Sequence, residues 1–144
     1  MNVVLGSDER TPLTDAVCTM LRERGDELTL VGPPGGDDAQ WADVGRRVGE
    51  LVASGECHTG VLFCWTGTGA SIAANKVRGV RAALCTDAAT AAGARRWNDA
   101  NVLVMSLRLA STELAREMLD AWFSAEPDDG EAANIAKLEP IVDR

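Results

Sequence analysis

Apolar residues follow two different patterns along the chain, and the two patterns alternate about five times. Five short runs are rich in apolar residues, and the third of them is apolar without alternation, which is typical of a strand buried on both faces of a parallel sheet. These runs are 2–6, 27–31, 59–64, 80–85 and 102–105. Between them, apolar residues recur at spacings of three and four, as on amphipathic helices. The alternation predicts an α/β protein, a Rossmann-like three-layer αβα sandwich with a five-stranded parallel sheet.

Capping residues indicate where several of the helices begin and end. Thr11-Pro12 supplies an N-cap followed by a proline at the first helical position, and Gly25 ends that helix. The other helices are predicted from Trp41 to Val52, over 70–76, over 87–96, and after an N-cap at Ser111 or Thr112.

The chain of 144 residues has the length of a single domain. The predicted strands and helices place the Rossmann-like domain within residues 1–125. Residues 126–144 form a C-terminal tail that is acidic at first and then has a weak helical pattern. We expect this tail to pack on a partner subunit.

The charge balance and the lack of long apolar runs exclude some partners. Lysine and arginine number 14 against 22 acidic residues, a formal net charge of −8. Such a surface has no affinity for phosphate backbones, so nucleic acid is not expected as a partner. No run approaches the roughly 18 apolar residues of a membrane span. The first residues also lack a signal peptide's charged region, so we expect a cytoplasmic protein without membrane contact.

The scarcity of histidine, tyrosine and paired cysteines limits the possible chemistry further. The chain has no tyrosine and only one histidine, His58, which falls at the start of the third predicted strand. The four cysteines form no C-x-x-C pair, so neither a zinc site nor a dithiol redox motif is expected. We therefore expect free thiols, no metal and no cofactor.

Three segments with polar and glycine residues are predicted to meet at the ligand-binding edge of the sheet. In open α/β sheets, ligands bind beyond the carboxyl ends of the strands. The segments are Gly6-Ser7-Asp8, the loop from Cys64 to Gly69, and Arg96-Trp97-Asn98-Asp99. A tryptophan in such a loop is unusual as a core residue, so Trp65 and Trp97 indicate a ligand site or a dimer interface.

The glycine-rich loop after the third strand fits neither common phosphate-binding motif. It lacks the P-loop spacing, and Ile72 stands where a dinucleotide-binding loop has its third glycine. Its backbone N–H groups, with a helix N-terminus behind them, can hold a negatively charged oxygen. The same positive end favours a thiolate at Cys64. A cysteine base beside an anion hole can move a proton next to a carbonyl group through an enediolate. Alternatively, Cys64 is only a small apolar residue at a strand end.

Several segments resemble the family of ribose-5-phosphate isomerase B and galactose-6-phosphate isomerase. They are F-C-W-T-G-T-G-A-S-I-A-A-N-K at 63–76, R-A-A-L-C at 81–85 and A-R-R-W-N-D-A-N-V-L at 94–103. Gly6-Ser7-Asp8 also fits the family's opening motif. The resemblance extends from residue 1 to about residue 125.

The resemblance implies a Rossmann-like enzyme that interconverts aldose and ketose phosphates without a metal. It also implies a homodimer or tetramer whose sites are shared between subunits. Cys64 matches the base that forms the enediol, and Thr66 matches a residue that assists ring opening or holds a sugar oxygen. Asp8 and Asn98 match ligands of the sugar hydroxyls. The anion hole corresponds to Trp65, Thr66, Gly67, Thr68 and Gly69.

The chain departs from the family at positions that contact the substrate. Glu9 and Trp97 replace two histidines, Trp65 replaces a glycine, and Trp41 stands where a tyrosine is common. The family's C-terminal arginines, which grip the substrate phosphate, are absent, because residues 129–135 read D-G-E-A-A-N-I. Arg108 alone remains at a phosphate-contacting position.

These residues favour an aldose–ketose isomerase that acts on an unphosphorylated or atypical sugar. The tryptophans would shape the pocket, and Asp8 or Glu9 would open the sugar ring unless the substrate is already open-chain. One alternative is a conventional pentose- or hexose-phosphate isomerase with a phosphate site rebuilt from Arg10, Lys76 and Arg108. The other is a non-catalytic sugar-binding subunit, against which the intact Cys64 loop argues.

Overall fold

Five parallel strands form one sheet in the order β2-β1-β3-β5-β4. The computed structural model describes residues 1–139. The strands are β1 (Asn2–Ser7), β2 (Glu27–Val31), β3 (Thr59–Cys64), β4 (Ala82–Leu84) and β5 (Val102–Ser106). The helices are α1 (Pro12–Glu23), α2 (Trp41–Ala53), α3 (Thr68–Asn75), α4 (Ala88–Asn98), α5 (Thr112–Ser124) and the short α6 (Ala132–Ala136). The predicted αβα sandwich with a five-stranded parallel sheet is confirmed.

Helices cover both faces of the sheet and create two hydrophobic cores. On one face, Leu5 and Phe63 pack with apolar residues of α1, α4 and α5. On the other face, Val4, Leu62 and Cys64 pack with residues of α2 and α3. Successive residues of a strand point to opposite faces, so a strand between two helical layers is apolar at every position. The central strand β3 is accordingly buried along its whole length.

The helices α2 and α3 approach each other closely because small residues line their contact. A β-carbon added at Gly45 would lie 2.7 Å from the backbone oxygen of Ala70, and one at Gly49 would lie 3.0 Å from Val77. Two helix backbones reach this distance only where no side chain stands between them. This contact fixes the start of α3 against the start of α2, which lies at the carboxyl edge of the sheet.

Helix capping follows the sequence, whereas the predicted bounds of α3 and β4 differ from those of the structure. Thr11 caps α1 through a bond from the Thr14 N–H, and Ser111 caps α5. Helix α3 begins at Thr68, two residues early. Strand β4 contains only Ala82–Leu84, because Val80 belongs to a turn in which its N–H donates to the Val77 oxygen.

The predicted loop over 96–99 is also wrong, and so is its position in the molecule. Trp97 and Asn98 form the last turn of α4, and Asp99 ends the helix in the left-handed conformation. Because α4 returns to the start of β5, its C-terminus lies at the amino edge of the sheet. There, Asn101 accepts bonds from Gly60 N–H and the Thr59 hydroxyl at the start of β3. This segment is therefore opposite the edge that the sequence indicated.

The described part of the C-terminal tail touches α4 and the loop before β4. The Asp128 N–H donates to the Arg96 oxygen at 2.8 Å, and Arg81 forms an ion pair with Glu139 at 3.3 Å. The prediction of a separate tail over 126–144 extends into residues 140–144, which lie outside the described residues. Over residues 1–139, no helix is long and apolar enough to cross a membrane.

Candidate active site

Cys64 ends the central strand at the floor of a cavity of about 270 Å³. Its side chain is buried, with 5% of the residue exposed. Strand β1 ends beside it, since Ser7 pairs with Phe63 in the ladder, and Asp8 follows directly. The cavity is lined by Asp8, Trp41, Cys64, Trp65, Thr66, Thr68 and Gly69. The structure thus brings together Asp8, Trp41 and the loop after β3, which are far apart in the sequence.

The loop between β3 and α3 presents a row of free backbone N–H groups. From Trp65 to Gly69, no N–H donates to an acceptor within the part of the chain that is described. The first N–H groups of a helix have no partner inside the helix, and they lie at the positive end of its dipole. Such a row suits an oxygen that becomes negatively charged during a reaction.

Two glycines are required for this loop conformation. Gly67 has φ +81°, and a β-carbon there would lie 2.5 Å from Leu84 and 3.3 Å from the Met105 oxygen. At Gly69, a β-carbon would lie 2.8 Å from the indole ring of Trp41. The ring of Trp41 therefore lies directly on the first turn of α3 and forms one wall of the cavity.

Two hydroxyl groups form a pair on the wall of the cavity. The Thr66 and Thr68 hydroxyl oxygens are 2.8 Å apart, a hydrogen-bond distance at which either can donate. Both side chains are exposed to the cavity rather than buried in the core. The pair can therefore donate a hydrogen bond to a bound oxygen and accept one in return.

Asp8 supplies the one carboxyl group in the described lining of the cavity. Partial burial raises its pKa above the usual value, a hydrogen bond from its own N–H opposes the change, and the charge of Glu9 raises the pKa further. The Ser7 hydroxyl donates to the Glu9 oxygen at 2.6 Å and accepts from the Glu9 N–H, which fixes this turn. A carboxyl with a raised pKa is suited to exchange a proton with a substrate oxygen.

We predict that the substitution Glu9→Gln lowers the pKa of Asp8. Removing the neighbouring negative charge makes ionisation of Asp8 easier, so the carboxyl should lose its proton at lower pH. Carbon-13 NMR of labelled aspartate measures this titration directly. Glu56→Gln is the control, because Glu56 is exposed and belongs to the loop before β3, at the opposite edge of the sheet. An unchanged or raised pKa of Asp8 in Glu9→Gln would contradict the prediction.

The basic residues predicted for a rebuilt phosphate site do not line this cavity. Arg10 forms a two-point contact with Asp15, at 2.9 and 3.4 Å. Lys76 caps the far end of α3. Arg108 is exposed beside the loop, and its backbone N–H donates to the Trp65 oxygen at 3.0 Å. The described cavity lining contains one carboxyl and no basic side chain.

Trp97 and Asn98 lie elsewhere in the same chain. They line a separate cavity of about 500 Å³ along the edge strand β4, and the Trp97 side chain packs against Gly93. Trp97 is 56% exposed and Trp65 is 60% exposed, so neither contributes to the core. Within one chain, these two predicted site residues are therefore not joined to the Cys64 cavity.

Sequence reasoning missed one side chain that contacts the loop, Ser106. Its hydroxyl, at the end of β5, donates to the Trp65 oxygen at 2.9 Å. The available indication of its role was its position, because Ser106 is a hydroxyl residue at the end of an otherwise apolar strand. In the sheet, that strand lies two positions away from the strand that precedes Asp8. His58, in contrast, lies at the amino edge as expected, where its Nδ1 accepts a bond from the Asn2 N–H. All four cysteines are free and buried, as expected.

A ribose/galactose isomerase family profile matches residues 3–139. The chain belongs to that family. It is 34% identical over 143 residues to the D-erythrulose-4-phosphate isomerase of Pectobacterium atrosepticum, covering 98% of this chain and 93% of that protein. It is 37% identical over 118 residues to the ribose-5-phosphate isomerase B of Escherichia coli, covering 82% of this chain and 79% of that protein.

A solved structure of the same family has the same fold. The ribose-5-phosphate isomerase B of Clostridium thermocellum superposes with a TM-score of 0.89 at 38% identity, covering 96% of this chain and 95% of that one. The family resemblance read from the sequence is confirmed, and with it the class of enzyme, an aldose–ketose isomerase. Within residues 1–139, no group of three or more His, Cys, Asp or Glu side chains is placed so that it could hold a metal ion.

Proposed function

We propose that this family member isomerises an unphosphorylated or atypical sugar, with Cys64 as the base and the loop from Trp65 to Gly69 as the anion hole. The observation that carries the proposal is the position of Cys64, at a strand end beside five N–H groups without an acceptor in residues 1–139. In the proposed reaction, the Cys64 thiolate removes the C2 proton of an open-chain aldose, and the electron pair moves onto the carbonyl oxygen. The resulting enediolate is held by the N–H groups.

The second half of the reaction returns a proton to a different carbon, from a thiol whose hydrogen has exchanged with solvent. A proton passes from the oxygen on C2 to the oxygen on C1, and Cys64 then donates its proton to C1. The product is the ketose, and the thiolate is regenerated, so no proton or electron is gained or lost. Asp8 and the hydroxyl pair of Thr66 and Thr68 lie within the same cavity and are suited to the proton transfer between oxygens.

The charge of the cavity supports a substrate without phosphate. A phosphate dianion is normally bound by arginine, often through two parallel hydrogen bonds. Here the lining is acidic through Asp8, while Trp41 and Trp65 offer flat apolar surfaces. Indole rings stack well on the apolar face of a sugar.

Two other functions are alternatives to this proposal. The relatives described above are named as isomerases of sugar phosphates, which favours the alternative of a conventional phosphate substrate with a site rebuilt from Arg10, Lys76 and Arg108. A non-catalytic sugar-binding subunit is less favoured, because Cys64 and the loop conformation are both intact.

We also propose that the active form is a homodimer or tetramer in which a partner supplies Trp97 and Asn98 to the Cys64 cavity. The cavity of about 270 Å³ is slightly smaller than the roughly 300–1,000 Å³ of complete small-molecule sites. Apolar side chains on α3 and in the turn after β5 are exposed, with Ile72 at 60% and Leu109 at 61%. The C-terminal tail would lie on the same partner. Sedimentation analysis tests the assembly, and a purely monomeric protein with full activity would exclude it.

The substrate is tested by proton NMR in D₂O with matched pairs of sugars. Free tetroses, pentoses and hexoses are compared with their phosphates, with Cys64→Ala as the control. We expect deuterium to enter C1 or C2 of a free sugar, and to do so only when Cys64 is present. Exchange into phosphates alone would replace this proposal with the conventional one, and binding without any exchange would favour the sugar-binding subunit.

A further inference from the structure

Ser106 is a buried hydroxyl whose two hydrogen bonds both hold loops at the active site. Only 5% of the residue is exposed, and it lies opposite Cys64 in the ladder between β3 and β5. Its hydroxyl donates to the Trp65 oxygen at 2.9 Å and accepts from the Leu109 N–H at 3.2 Å. It therefore links the loop after β3 to the turn after β5.

The backbone of that turn holds the same loop at two further points. The Leu107 N–H donates to the Cys64 oxygen and the Arg108 N–H to the Trp65 oxygen, each at 3.0 Å. Two consecutive carbonyl groups, those of Cys64 and Trp65, are thereby directed toward β5. The Trp65 oxygen accepts two bonds, and only one of them comes from a side chain.

The direction of these carbonyl groups determines where the next N–H groups point. A trans peptide is planar, so its N–H points opposite to its C=O. No cis peptide occurs in the described chain. The N–H groups of Trp65 and Thr66 therefore point away from β5, and they belong to the row that has no acceptor within residues 1–139.

We propose that Ser106 is a positioning residue that fixes the peptide between Trp65 and Thr66, so that the Thr66 N–H is held ready for the enediolate oxygen. This inference rests on the proposed function. The Trp65 side chain is 60% exposed and does not anchor the loop by packing in the core, so backbone contacts must hold it. Without the hydroxyl, the Trp65 carbonyl keeps one bond and the peptide can rotate. Donors that are fixed before the reaction stabilise the developing charge best.

The first test compares the kinetics of Ser106→Ala and Ser106→Thr with those of the unaltered protein. We expect Ser106→Ala to lower kcat about tenfold while KM changes less than about threefold, because the bond matters most in the transition state. Ser106→Thr keeps the hydroxyl and should recover most of the activity.

Thr59→Val is the matched control at the other end of β3. The Thr59 hydroxyl is also buried, donates to the Asn101 oxygen at 2.9 Å and accepts from Trp122 at 3.2 Å. Its removal should lower thermal stability but leave kcat unchanged. Equal losses of kcat in Thr59→Val and Ser106→Ala would mean that Ser106 is merely structural, and the inference would be overturned.

A second measurement does not depend on turnover. Nitrogen-15 NMR follows the Thr66 amide while a short-chain aldonohydroxamate, a mimic of the enediolate, is added. The resonance should move in the unaltered protein and in Thr59→Val, but not in Ser106→Ala. If no sugar is turned over and this pattern still appears, the proposed function fails and the role of Ser106 stands. The inference is overturned if the Thr66 amide resonance does not shift when the probe is added to the unaltered protein, or if it shifts equally in Ser106→Ala.

Discussion

Replacing Cys64 by alanine is expected to lower kcat by roughly 10²- to 10⁴-fold, the contribution of a positioned acid–base group. The thiol is the proposed proton carrier, and no other side chain of the described cavity lining combines burial with a position on the sheet. Alanine removes only the sulfur from the core formed with α2 and α3, so the fold should persist. Steady-state kinetics with the sugar identified by deuterium exchange measures the effect, and thermal unfolding verifies the fold.

Cys85→Ala is the matched control for that experiment. Cys85 directly follows β4 and, like Cys64, is buried. Burial raises the pKa of its thiol to about 11, and its Sγ lies 3.6 Å from the Ala83 oxygen. A thiol that holds its proton so firmly is inert at neutral pH. The control should keep its activity. Full turnover by Cys64→Ala, or equal losses in the two variants, would remove Cys64 from the mechanism.

Gly67→Ala is expected to lower kcat/KM about 100-fold, comparable to the loss of one anion-hole donor. The positive φ is unfavourable for alanine, and the added methyl group would overlap the end of the Leu84 side chain at 2.5 Å and lie tightly against the Met105 backbone at 3.3 Å. The Leu84 side chain can move aside, whereas the backbone of β5 cannot yield without disturbing the sheet, so we expect the loop to shift. Kinetics on the same substrate gives the result.

The control for this second experiment separates backbone strain from displacement of the loop. Gly55 has almost the same conformation, φ +82°, and an added β-carbon would meet nothing within 4 Å. Gly55→Ala should therefore cost roughly 1–2 kcal/mol of stability while kcat/KM stays near that of the unaltered protein. If Gly67→Ala were as active as Gly55→Ala, the loop conformation would not matter to the reaction.

The sheet could be predicted from the sequence because, in its central strands, the local apolar pattern agrees with the burial that packing between two helical layers imposes. Residues 60–64 carry no charged or hydroxyl side chain, and the structure buries every residue of this strand between two helical layers. Strand β4 was less predictable, because it lies at the sheet edge and its length depends on neighbours. The Asn75 side chain bonds both the N–H and the oxygen of Ala82, a contact that no local pattern reveals.

The candidate site could be predicted in part for a similar reason. Asp8 and Cys64 each lie where a strand ends, so topology brings them to one edge regardless of side-chain detail. The error at Trp97 and Asn98 came from placing a helix C-terminus by its composition, which resembles that of a loop. The role of Ser106 depends on a hydrogen bond between neighbouring strand ends, and single-sequence patterns do not contain such pairs.

The arrangement of tryptophans gives the protein a built-in optical reporter. Within one chain, Trp41 and Trp65 line the cavity, whereas Trp122 of α5 is buried in the core and Trp97 lies on α4. A molecule that enters the cavity must displace water from two indole faces, which shifts their emission toward shorter wavelength. Intrinsic fluorescence can therefore rank candidate sugars by affinity, without a label and before any product has been identified.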